Sequence, residues 1–187
     1  MNDRIYIVSN YWKWELKSII SLLVRLVCYG FNHVAFEKDG LIYEMDNSNF
    51  LWSIRKLLGK PVSYEPNAGS GYKVTPLAEW LRHTNRRVVE MKPTYPLILP
   101  EVNEGYGFLD LLQILLHIIR RRWLLIGHDW NGVDGCRLWH GYFCSEFVGL
   151  ALQHPKSFNL TPLDIRLLPE LEFVQEFETK EYTLTTK

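Results

Sequence analysis

Cysteine is scarce in this sequence: Cys28, Cys136 and Cys144 are an odd number with no paired spacing. That excludes a disulfide framework, points to synthesis in a reducing compartment and leaves at least one thiol free. An excess of charge of one sign is also missing. Lysine plus arginine and aspartate plus glutamate number 21 each, so no global field recruits nucleic acid or an anionic membrane. The opening "MNDRIYIVSNYWKWELK" lacks the basic start, apolar run and small-residue cleavage site of a secretory signal. The expected location is therefore cytoplasmic on synthesis, with export only by lysis or carriage in a virion. Long uninterrupted apolar runs are absent as well. The two candidates, 16–31 and 108–127, are broken by charge and fall short of the roughly 20 apolar residues of a spanning helix, so no transmembrane segment is expected.

What is present is core material, 47% hydrophobic and 14% aromatic residues, ample for packing one domain. No internal repeat or low-complexity linker divides the chain, so a single domain is expected over 1–174, followed by a polar tail at 175–187. Residues 3–10 read as a strand and 12–28 as a helix ending near Gly30. Residues 32–46 read as a hairpin turning at Asp39-Gly40, a dipeptide that tolerates positive φ. A short helix at 50–59, a loop at 61–72, a helix at 75–83 with Thr75 as N-cap and Pro76 at its first position, and a strand at 86–92 follow. In 108–126, Asp110, Gln113, His117 and Arg120 or Arg121 recur at helical spacing and leave a broad apolar face. This favours a core helix, with membrane-surface binding as the lesser alternative. The fold class is α+β.

The chemistry centres on "GYFCSEFVGLAL" (141–152), where Cys144 stands at the mouth of an apolar helix. Backbone N–H groups and the helix dipole favour a thiolate there. A thiol nucleophile needs a base held by a third polar group. His33 qualifies because it begins a hairpin strand whose return carries acids. A two-residue turn pairs Lys38–Leu41, Glu37–Ile42, Phe36–Tyr43, Ala35–Glu44, Val34–Met45 and His33–Asp46, which puts His33, Ala35, Glu44 and Asp46 on one face. Either acid can then orient the imidazole; a three-residue turn moves both to the other side.

"FNHVAFEKDGLIYEM", "YKVTPLAEWLRHTNRRVVEM", "EGYGFLDLL", "GYFCSEFVGLAL" and "LTPLDI" resemble, in order, the segments of the circularly permuted papain-like hydrolases of the NlpC superfamily. The likeness is nearest to the YiiX/YebB-like branch and more distant to the lecithin retinol acyltransferase group, and it covers roughly residues 24–168. It implies a small antiparallel sheet packed with helices, with the nucleophile at a helix N-terminus. It assigns Cys144 as nucleophile, His33 as base and Glu44 as orienter. Asp46 stands as alternate orienter, the Cys144 backbone N–H falls in the oxyanion site, and Tyr142 and Ser145 line it. Two features depart from the family form: an enlarged 127–141 segment and an unusually apolar N-terminal helix.

The reaction this implies is hydrolysis of an amide or ester through an acyl-thioester, without metal or cofactor. The substrate is a peptide or other acyl compound, such as a cell-wall peptide in a phage or bacterial setting. Two other classes compete: an idle structural component of an assembly such as a phage particle, docking through apolar helices or the C-terminal tail, and a membrane-surface lipid hydrolase or acyltransferase. Cys136, His140 and Cys144, with His128 and Asp129 upstream, lack the tight paired spacing of a zinc site. The Trp-rich 127–141 loop reads as packing before sugar stacking, and "RRRW" (120–123) as a solvated helix end.

Overall fold

A computed structural model of the chain describes residues 3–10, 31, 33–46, 52, 55–56, 58–82, 86–102, 105, 144–155, 157 and 160–179. The expected helices at 12–28 and 108–126 and the 127–141 loop lie outside these residues. The protein is α+β. Six strands, β1 (Arg4–Asn10), β2 (His33–Lys38), β3 (Leu41–Met45), β4 (Tyr72–Pro76), β5 (Arg86–Pro93) and β6 (Leu171–Glu178), form one sheet in the order β4-β3-β2-β1-β5-β6, every pair antiparallel. The described residues include three short helices, α1 (Leu77–Leu81), α2 (Cys144–Ala151) and α3 (Pro162–Arg166), besides helical residues at 52 and 55–56.

The β2–β3 hairpin turns on Asp39 and Gly40, with φ of 54° and 77°. Positive φ at both central residues matches the strands' right-handed twist, which is why Asp-Gly occupies this turn. The register that follows pairs Ala35 with Glu44, Phe36 with Tyr43, Glu37 with Ile42 and Lys38 with Leu41, as a two-residue turn requires.

Alternation along the strands separates two packed faces. Ile5, Ile7, Val34, Phe36, Met45 and Val89 point to one face, where α2 supplies Phe147, Val148 and Ala151. Phe147 packs against Phe36 and Tyr72 at ring-centroid distances of 5.5 and 5.7 Å. Tyr6, Val8, Ala35, Ile42 and Val88 form the second face, covered by Trp80 of α1.

Two sequence expectations change. Thr75 and Pro76 belong to β4, opposite Ile42 and Leu41, so α1 begins at Leu77 without a side-chain cap. Pairing across the sheet outweighs the local Thr-Pro helix-start signal. Residues 175–178 are strand and not tail, because β6 continues through Glu178 and pairs Gln175–Glu178 with Arg87–Glu90. An edge strand keeps one side in water, so its acidic residues are compatible with pairing. Phe177 packs toward the Trp80 cluster, Arg87 forms an ion pair with Glu176, and Gln175 donates to Glu90 at 2.6 Å.

Candidate active site

Cys144 is the first residue of α2, and its thiol is free and buried, with 6% of its surface exposed. His33 is the first residue of β2. It pairs with Val8, a member of the Trp80-covered face, whereas α2 covers the opposite one. Cys144 is nonetheless near enough to act on the His33 titration, so the two residues approach one another where β2 and α2 begin.

His33 Nε2 lies 2.8 Å from Glu44 Oε2. Glu44 sits opposite Ala35, so the hairpin register delivers its carboxylate diagonally beside His33. The same oxygen accepts a second hydrogen bond, from Trp80 Nε1 at 3.1 Å. The Arg86 guanidinium stands over the Trp80 ring, 5.2 Å from its centroid.

The electrostatics follow from this packing. Burial pulls the His33 imidazole down, but the neighbouring Cys144 and the hydrogen-bonded Glu44 outweigh burial and lift it from 6.5 to about 10. Burial pushes Glu44 up, but the hydrogen bond and positive charge of His33, the Trp80 N–H and the Arg86 charge bring it from 4.5 down to about 2. At neutral pH, His33 is an imidazolium near a carboxylate and a sulfur. Such an arrangement prepares a thiol for attack on an electrophilic carbon.

The other expected site residues fall elsewhere. Asp46 is not on His33: its backbone N–H donates to the Gly71 carbonyl at 2.8 Å, and its carboxylate pairs with Lys73. The β3–β4 ladder explains this, since Lys73 lies opposite Glu44 with its ammonium directed along the strand to Asp46. Ser145 does not line the thiol with its hydroxyl, which donates to the Leu160 carbonyl at 2.5 Å and ties α2 to the segment before α3. Tyr142, Cys136, His140, His128 and Asp129 lie outside the described residues.

Trp80 and Arg86 are the site residues that sequence reasoning missed. Arg86 was placeable in principle, because Arg86 and Val88 share a strand face and Val88 stands in the same row as Val8 and His33. That inference needs β1 between β2 and β5, an order no local motif reveals. Comparison of the chain with protein-family models, curated proteins and solved structures found no match. The fold and side-chain geometry define the class at the level of an α+β protein with a buried Cys-His-Glu cluster.

Proposed function

We propose that this chain is a cysteine hydrolase of permuted papain-like type that cleaves an amide or ester bond through an acyl-thioester. The observation that carries the proposal is the buried His33–Glu44 pair, 2.8 Å apart, with Cys144 at the head of α2 near enough to act on the His33 titration. The order along the chain also supports it: histidine on one strand, acid on the next, cysteine later at the head of a helix packed on the sheet. This is the permuted arrangement that the sequence resembles, and it makes His33 the proton carrier and Glu44 its orienter.

In the proposed reaction, the Cys144 sulfur attacks the acyl carbon and a carbon–sulfur bond forms. His33 donates its proton to the departing amine or alkoxide as the original bond breaks. Neutral His33 then takes a proton from water, the resulting hydroxide attacks the thioester, and the acid product leaves as sulfur regains its negative charge. The Cys144 backbone N–H is the proposed oxyanion donor. Cell-wall peptides are the first substrate class to try, lipid esters and amides the second.

The test is labelling with a thiol-directed acyl electrophile, followed by a panel of wall peptides and lipid esters. Wild type acylates at Cys144; Cys144→Ala does not, and His33→Ala does so more slowly by about a hundredfold or more, from the low end of a general acid–base contribution. Equal labelling of all three proteins rejects the nucleophile.

A second reading, an idle assembly component, draws support from the depth of Cys144 and from the exposed apolar residues of edge strand β6, Phe173 at 59% and Val174 at 42%. It requires that wild type remain unlabelled while folded. The membrane-surface reading depends on the 108–126 helix, outside the described residues; among those residues no helix is long and apolar enough to cross a membrane.

A further inference from the structure

We propose that Trp80 and Arg86 are positioning residues of this site: the indole N–H fixes the direction of the Glu44 carboxylate, and the guanidinium stacked on the indole holds that ring in place. The inference rests on the hydrolase reading above and extends it to residues on α1 and β5.

The terminal torsion of a glutamate is broad, so one hydrogen bond to His33 leaves its carboxylate free to swing. Two donors from different elements remove that freedom. His33 approaches Oε2 from β2 at 2.8 Å and Trp80 approaches the same oxygen from α1 at 3.1 Å. Indole is a donor only, so it stabilises the ionised carboxylate and offers no site for the His33 proton. A serine, tyrosine or histidine in its place would add an acceptor and a competing route for that proton.

Arg86 acts one step further out. Its guanidinium lies over the Trp80 ring, and its Nη1 is buried without a hydrogen-bond partner among the described residues. Its charge acts on Glu44 across space, and the ring face accepts the cation. A bidentate Arg86–Glu44 pair would instead compete with His33 for the carboxylate oxygens. Tyr6 supports the same ring from β1 at 5.4 Å, and Trp80 is 1% exposed. The indole is therefore wedged between Tyr6, Arg86 and Glu44. The charged and titratable groups around Glu44 are His33 on β2, Lys73 on β4, Asp46 beyond β3 and Arg86 on β5; Asp46 pairs with Lys73 and its charge also acts on Arg86.

The test replaces Trp80 in the full chain by benzothienylalanine, which keeps the bicyclic shape and lacks the N–H. A parallel protein carries 5-fluorotryptophan at position 80, which keeps it. Two readouts are taken: the carboxyl-carbon NMR titration of Glu44, and the rate of Cys144 acylation by a small activated ester at neutral pH. Without the N–H, the Glu44 titration rises by roughly one pH unit, and acylation slows because His33 is no longer held in one direction. 5-Fluorotryptophan restores both values, a rescue that packing alone does not predict for two rings of similar bulk. Arg86→Met moves Glu44 in the same direction by a smaller amount.

If wild type acylates and neither readout moves in the benzothienylalanine protein, the assignment of Trp80 is overturned while the hydrolase reading stands. If only Arg86→Met leaves Glu44 unmoved, the part given to Arg86 is wrong. If wild type does not acylate at all, the hydrolase reading falls and takes the positioning role with it, whatever Glu44 does.

Discussion

Glu44 and Asp46 are two carboxylates two residues apart, and the residues around each decide what it does. Glu44 is buried against His33 and Trp80, whereas Asp46 is half-exposed and paired with Lys73. An ion pair in water contributes little and acts weakly on a third charge. Glu44→Gln therefore lowers the His33 imidazole titration by one pH unit or more, on the order of the shift a buried neighbouring charge produces, while Asp46→Asn leaves it nearly unchanged. Imidazole NMR on both variants checks this; equal shifts would return Asp46 to the site. The sequence narrowed the orienter to these two acids because a two-residue Asp-Gly turn fixes the register. It left the choice open because Lys73 arrives from a strand that the hairpin does not predict. The approach of Cys144 to His33 was similarly illegible, since it depends on how a distant helix seats across the end of β2.

At the scale of the element, α2 is the part that places the thiol. Seven of its eight residues are buried, so it is packed almost all round and its axial position is set by close neighbours. Gly149 shows how closely: a Cβ there would stand 2.9 Å from both the Ser157 Cα and the Leu160 Cδ1. Alanine favours a helix interior over glycine by about 1 kcal/mol, but the clash is partly with backbone and overpacking of this kind costs about 1–3 kcal/mol. Gly149→Ala should therefore destabilise the fold, seen as a lower urea midpoint, and slow Cys144 acylation by shifting the head of the helix; a raised midpoint would show that the 157–160 segment yields easily. The neighbouring α3 is held differently. Thr161 and Asp164 form a reciprocal capping box, and Thr161→Ala should cost about 1 kcal/mol. That cap was within reach of the sequence, as "LTPLD" places Thr, Pro and Asp at N-cap, N1 and N3. β6 was not, because an acidic edge strand and a frayed tail share one composition, and only the partner strand separates them.

For the molecule as a whole, the charged cluster makes stability depend on pH, and the sign is different on the two sides. Glu44 holds its proton more weakly when folded, about 2 against 4.5, so its contribution is complete above about pH 4.5 and disappears as pH falls through about 2. His33 holds its proton more tightly when folded, about 10 against 6.5, so its contribution is complete below about pH 6.5 and disappears as pH rises through about 10. The two windows overlap between about pH 4.5 and 6.5, where the pair stabilises the fold most. Other groups also titrate across this range, among them Tyr6, whose phenol is pushed up by burial and by its hydrogen bond to Glu37. A difference measurement removes them. Urea unfolding of wild type and Glu44→Gln, compared at each pH, should give a stability difference that narrows toward acid below about pH 4.5, is level above it, and narrows again in alkali between the His33 titrations of the two proteins. The alkaline narrowing is the sharper observation, because a carboxylate acting alone would keep its full advantage there. A difference that stays level through about pH 10 would mean that His33 does not carry its charge in the folded protein, and the imidazolium on which the proposed acyl transfer depends would be lost with it.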